Sequence, residues 1–153
     1  GKSALINRLV KKKVVSSSRK AGVTRSLRWV RLGQDLDLLD APGVLPPRLE
    51  DQNAALKLAI CDDIGQAAYN TEQVAITFMS LLEKLERIKE SGIKSMCLQN
   101  RYGIFFNESI KDNSSWLLSA AERHTSGDTV RMSQRLLDDF RKNLLGNISL
   151  ELP

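Results

Sequence analysis

The sequence predicts a short α/β segment followed by an all-α segment, and three observations predict it. The triplet Gly1-Lys2-Ser3 opens a stretch with an apolar helical face. Two stretches of alternating residues, separated by Gly33-Gln34, read as a β-hairpin. From Glu50 onward the apolar residues recur at helical spacing. The fold expected is therefore part of a P-loop nucleotide-binding domain over residues 1–48, then a helical domain over residues 49–153.

Taken in order, Leu5, Ile6 and Leu9 form one face of a helix expected over residues 1–13. It closes in Lys11-Lys12-Lys13, whose charge suits either the negative pole of the helix C-terminus or an RNA contact; both readings stand. Residues 14–25 are polar, carry Gly22, and read as a loop. Arg28 to Leu32 and Asp35 to Asp40 are the expected strands, and Asp40-Ala41-Pro42-Gly43 ends the second one sharply. Leu49, Leu56, Ala59 and Ile60 are expected to share one face of the next helix. Val74, Phe78, Leu81, Leu82, Leu85 and Ile88 mark a long amphipathic helix from about Thr71 to Gly92. Residues 92–114 lack a clear period. Trp116, Leu117, Ala120 and Ala121 suggest a short helix. Val130, Leu136, Leu137, Phe140 and Leu144 mark a last one, capped near Ser126 to Asp128 and closed by Gly146. Trp29 and Trp116 are expected to pack in or beside a core, and His124 to be structural.

With 42% hydrophobic and 27% charged residues, the 153-residue chain has the composition of a globular protein rather than a disordered or membrane-spanning one. Cys61 and Cys97 lie far apart and the chain has a single His, a pattern that argues against zinc and for free thiols in a reducing compartment. Because the sequence opens inside a motif without an initiator Met, it is expected to be a fragment, with any targeting segment upstream. The net charge of +5 is unevenly spread: residues 1–34 hold ten Lys/Arg and no acid, and the rest holds 13 Lys/Arg against 18 Asp/Glu. A cationic first segment suits a polyphosphate, an RNA surface, or both.

The chemistry lies in three elements in order: Gly1-Lys2-Ser3 opening a helix, Thr24 in a loop, and an apolar strand ending in Asp40-x-x-Gly43. The first closes a phosphate-binding loop, where backbone N–H groups and the lysine hold a polyphosphate. Mg²⁺ takes oxygen ligands, so the hydroxyls of Ser3 and Thr24 suit it directly and the Asp40 carboxylate suits it through a water. Gly43 lets its N–H approach the γ-phosphate.

These residues resemble the circularly permuted ribosome-assembly GTPases of the YlqF/RbgA type. The likeness runs through Gly1-Lys-Ser-Ala-Leu-Ile-Asn-Arg-Leu9, Ala21-Gly-Val-Thr24-Arg-Ser26, Leu36-Asp-Leu-Leu-Asp40-Ala-Pro-Gly43-Val-Leu45 and Leu49-Glu-Asp-Gln52, and continues to Leu145-Gly-Asn-Ile-Ser-Leu150. The resemblance implies a GTPase of large-subunit maturation, with GTP as substrate, Mg²⁺ and K⁺ as cofactors, and a helical domain that touches ribosomal RNA. It implies a phosphate loop at Lys2 and Ser3, a first switch at Thr24, and a second at Asp40 and Gly43. Val44 stands where other GTPases hold the glutamine that orients water, so a catalytic group from elsewhere, such as the ribosome, is expected. Ala21 replaces the proline usual before Gly22. No [N/T]-K-x-D guanine motif follows Gly43: either the protein does not read guanine or the motif lies upstream, and the resemblance implies the second, in permuted order. The fragment alone is expected to be inactive. The wording of Arg48-Leu-Glu-Asp-Gln-Asn-Ala-Ala55 and Ile60-Cys-Asp-Asp-Ile-Gly65 resembles the plastid and cyanobacterial branch, implying the chloroplast stroma, with bacterial cytoplasm or mitochondrion as alternatives.

In the helical half, Arg123, Arg131, Arg135, Arg141 and Lys142 are candidates for an RNA face, against the alternative of an ordinary solvated face. No membrane partner is expected, and the protein is expected to be a monomer. Two rival functions stay open: a helical RNA-binding module without nucleotide chemistry, and a P-loop ATPase.

Overall fold

A computed structural model describes residues 2–13, 26–34, 36–41, 49–65, 68–88 and 96–151. The chain divides into two compact units, Gly1–Asp51 and Gln52–Pro153.

In the first unit, helix α1 covers Lys2–Leu9 and strands β1 (Arg28–Arg31) and β2 (Asp37–Asp40) pair antiparallel. The register sets Arg28 opposite Asp40 and Val30 opposite Leu38. Opposed residues share a face of the hairpin. Val30 is buried with Ile6 of α1, and Val10, Leu32 and Leu38 pack around them. The even-numbered face of the hairpin thus sits on α1. Trp29 and Leu39, paired on the other face, are 68% and 44% exposed. The core or rim position expected for Trp29 is therefore corrected: strand alternation turns it away from the unit's own core. Helix α1 is also shorter than expected, because Lys11 adopts φ +53° and ends it.

The second unit holds α2 (Gln52–Ile60), α3 (Thr71–Glu86), α4 (Cys97–Tyr102), α5 (Asn113–Thr125) and α6 (Thr129–Arg141). The caps explain where the helices start. Asn70 accepts from the Gln73 N–H at 2.9 Å, Asp112 from Ser115 at 2.7 Å, and Asp128 from Arg131 at 2.8 Å. Each satisfies an N–H that has no partner within its helix. The core gathers Phe78, Met79 and Leu82 of α3, Trp116 and Ala120 of α5, and Met132, Leu136 and Leu137 of α6. Trp116 is fully buried, as expected, and donates from Nε1 to the Ile104 carbonyl at 3.1 Å. Helix α4 falls where no period was legible, since its six residues are too few to show one.

Candidate functional site

The first unit brings two of the expected nucleotide elements onto one small framework. Helix α1 begins at Lys2, so the free N–H groups of its first turn lie in the Gly1-Lys2-Ser3 motif. Asp40 is the last residue of β2 and is only 2% exposed. It lies on the hairpin face that packs against α1, directly across from Arg28. A buried carboxylate at a strand end, on the side of α1, fits the hard-oxygen preference of Mg²⁺. Among the described residues no three His, Cys, Asp or Glu gather to hold a metal ion. Gly1, Thr24 and Gly43 lie outside the described residues, as do Val44 and the side chains of Lys2 and Ser3.

The second unit sorts the five candidate RNA cations into two kinds. Arg141, at the end of α6, is 17% exposed. Its Nε donates to the Ile60 carbonyl at 2.8 Å, and a terminal nitrogen donates to the Ala59 carbonyl at 2.9 Å. The same fork lies 3.4 Å from Asp138 and 3.9 Å from Asp62. Arg123 extends to the Gly103 carbonyl at 2.8 Å, and His124 Nε2 lies 3.0 Å from the Tyr102 carbonyl. Those carbonyls belong to the last turns of α2 and α4, where a cation offsets the negative helix pole. Arg141 therefore acts as a helix-end clamp, with its guanidinium engaged inside the unit. Arg131, Arg135 and Lys142 remain exposed. Their spacing of four and seven residues places them on one side of α6. Lys142 lies 3.6 Å from Asp138.

Sequence reasoning missed the buried acid that joins α4 to α6. Asp139 Oδ2 accepts from Arg101 Nε at 2.9 Å and from the Tyr102 hydroxyl at 2.8 Å. Burial, then the Asp139 hydrogen bond and charge, push the Tyr102 hydroxyl well above the usual tyrosine range. The available signal was Asp139 itself, an acid among the apolar positions of α6, but sequence alone did not name its partner.

A family model described as "50S ribosome-binding GTPase" matches residues 1–101. The chain is similar to Ribosome biogenesis GTPase A of Bacillus cereus, 32% identical over 155 residues, covering 100% of this chain and 50% of that protein. It is 40% identical over 92 residues to the protein of the same name in Bacillus pumilus, covering 59% of this chain and 33% of that one. An uncharacterized GTP-binding protein of Methanocaldococcus jannaschii is 26% identical over 159 residues, covering 99% of this chain and 38% of its own. The chain thus spans about half the length, or less, of these curated relatives.

Proposed function

Since the chain belongs to the 50S ribosome-binding GTPase family, we propose that its parent protein is a GTP-hydrolysing switch in assembly of the large ribosomal subunit. The observation that supports this most is the buried Asp40 on the α1-facing side of the hairpin, within the region the family model matches. The relatives' printed name, Ribosome biogenesis GTPase A, supports the process.

In this reading residues 1–48 are the C-terminal part of a permuted GTPase domain, and residues 49–153 are a helical domain. Gly1, Lys2 and Ser3 hold the β- and γ-phosphates, and the Gly43 N–H contacts the γ-phosphate. Ser3 and Thr24 supply hydroxyls to Mg²⁺, and Asp40 orients one of its waters. Mg²⁺, when held there, would offset phosphate charge in the transition state. K⁺ is a further cofactor suggested by the resemblance. With Val44 where glutamine is usual, the group that orients the attacking water comes from the ribosome. Loss of the γ-phosphate releases Thr24 and Gly43, and the helical domain shifts on ribosomal RNA. Arg131, Arg135 and Lys142 are the contacts we assign to that RNA, with Arg123 at its margin. We place the protein in the chloroplast stroma as a monomer, a reading that fluorescence imaging of the tagged full-length protein tests.

The nucleotide site itself is tested by titrating the full-length protein with GTP and ATP. Tight GTP binding, lost in Lys2→Ala and Ser3→Ala by roughly 30- to 1000-fold, is expected for a charge-assisted phosphate contact. Equal affinity for ATP and GTP would favour the ATPase alternative.

A further inference from the structure

Helix α1 presents its two ends to different chemistry. Its N-terminal end carries the phosphate motif, and its eight residues separate that end from the C-terminal one by roughly 12 Å. At the far end stand Arg8 in the last turn and Lys11, Lys12 and Lys13 just beyond it, all exposed. A helix C-terminus carries about half a negative charge, which a single cation offsets. Four cations leave a surplus that helix capping does not explain.

Among the described residues no acid neutralises the surplus. Residues 1–34 contain no carboxylate. Among the described residues none of the four cations takes part in an ion pair, whereas Arg31 of β1 lies 3.4 Å from Asp37 of β2. Lys11 moreover occupies a φ of +53°, a conformation that favours glycine or asparagine. The chain thus places a charge at a position where an uncharged glycine is the easier residue.

We propose that Arg8, Lys11, Lys12 and Lys13 form a docking surface for an RNA phosphate backbone, on the GTPase unit and separate from the helical domain. A run of point charges at adjacent positions suits a closely spaced row of phosphates and reads no base sequence. The choice of RNA as the polyanion rests on the ribosome-assembly reading above. A lipid surface is the competing partner, because Leu5 and Leu9 on the same helix are also exposed.

The test uses the full-length protein and a variant carrying Lys11→Gln, Lys12→Gln and Lys13→Gln, which removes charge but keeps side-chain length. Binding to purified large-subunit ribosomal RNA is measured over a salt series. Each lost phosphate contact lowers the slope of log affinity against log salt by about 0.7–0.9, so a reduction of about 2–3 is expected if all three lysines contact phosphate. Affinity at low salt falls at least about tenfold, and GTP affinity matches the parent. Lys11→Gly provides the second arm: a melting temperature higher by about 1–3 °C with weaker RNA binding. An unchanged slope in a folded triple variant overturns the proposal. So does unchanged RNA binding with lost binding to phosphatidylserine vesicles. A reduced slope in a protein that binds no GTP keeps the docking surface and removes the nucleotide reading, so the two failures are distinct.

Discussion

Arg141, the last residue of α6, donates to the carbonyl of Ile60, the last residue of α2, across 81 positions of sequence. The contact spends a cation on ending one helix and fixing another. Arg123 of α5 acts in the same way on Gly103, the residue that caps the end of α4. Basic residues that look interchangeable in sequence are thus divided between helix ends inside the unit and solvent outside it.

Replacing Arg141 with Met removes two charge-assisted hydrogen bonds to carbonyls and takes the Arg141 cation from Asp62, while Asp138 keeps Lys142. A loss of about 2–3 kcal/mol is expected in urea unfolding, with faster hydrogen exchange in α2 than in α3. Arg141→Lys keeps a charge but not the fork, so its loss should be about half as large. If Arg141→Met lies within about 0.5 kcal/mol of the parent, the clamp is not structural.

Asp139 and Tyr102 should differ in cost. Asp139→Ala leaves the buried Tyr102 hydroxyl without its acceptor and frees Arg101, which is partly exposed and can rehydrate; about 2–4 kcal/mol is expected. Tyr102→Phe leaves Asp139 with Arg101 and should cost about 1–2 kcal/mol. Equilibrium unfolding of both variants checks the order, and the reverse order would contradict it.

The two thiols give a pH test. Burial, then the charge and hydrogen bond of Glu86, push the Cys97 thiol from 9.0 to about 11. Below pH 9 the thiol is protonated in both folded and unfolded chains. Between pH 9 and about 11 the unfolded chain loses that proton first, so stability falls as pH rises through this window. Cys97 should also resist alkylation at pH 8 until the protein unfolds, whereas exposed Cys61 reacts in the native state. Equal rates for the two thiols would rule out the burial described for Cys97.

Much of this was legible in the chain because strong periodicity needs no partner to interpret it. The α3 stripe from Val74 to Leu85 and the alternation around Val30 each specify an element and the face it buries. Asp128, inside the stretch expected to cap the last helix, marks its start through local capping chemistry. Helix α5 proved longer than its apolar residues suggested, because the Asp112–Ser115 capping box adds a polar first turn. What sequence did not reveal depends on long-range pairing. The Arg141–Ile60 contact and the Asp139 cluster join residues 37 or more positions apart, and no local pattern encodes them. In the candidate nucleotide site, Asp40 is named by its motif, while its burial on the α1 side of the hairpin emerges only from the register with Arg28.

Val44→Gln should leave subunit-stimulated hydrolysis in place, since valine orients no water that the change would release. Single-turnover rates of the full-length protein provide the check. A large loss with GTP binding intact would show that Val44 itself helps arrange the site.

The most direct measurement of the switch is single-turnover GTP hydrolysis by the full-length protein, with and without purified large ribosomal subunits, compared with Asp40→Asn. The expected result is slow hydrolysis alone, strong stimulation by subunits, and a stimulated rate lower by about 10²-fold in Asp40→Asn, because the proposed function gives that carboxylate the task of orienting a water of bound Mg²⁺. Hydrolysis that ignores the subunits, or an Asp40→Asn variant stimulated as strongly as its parent, would contradict the account.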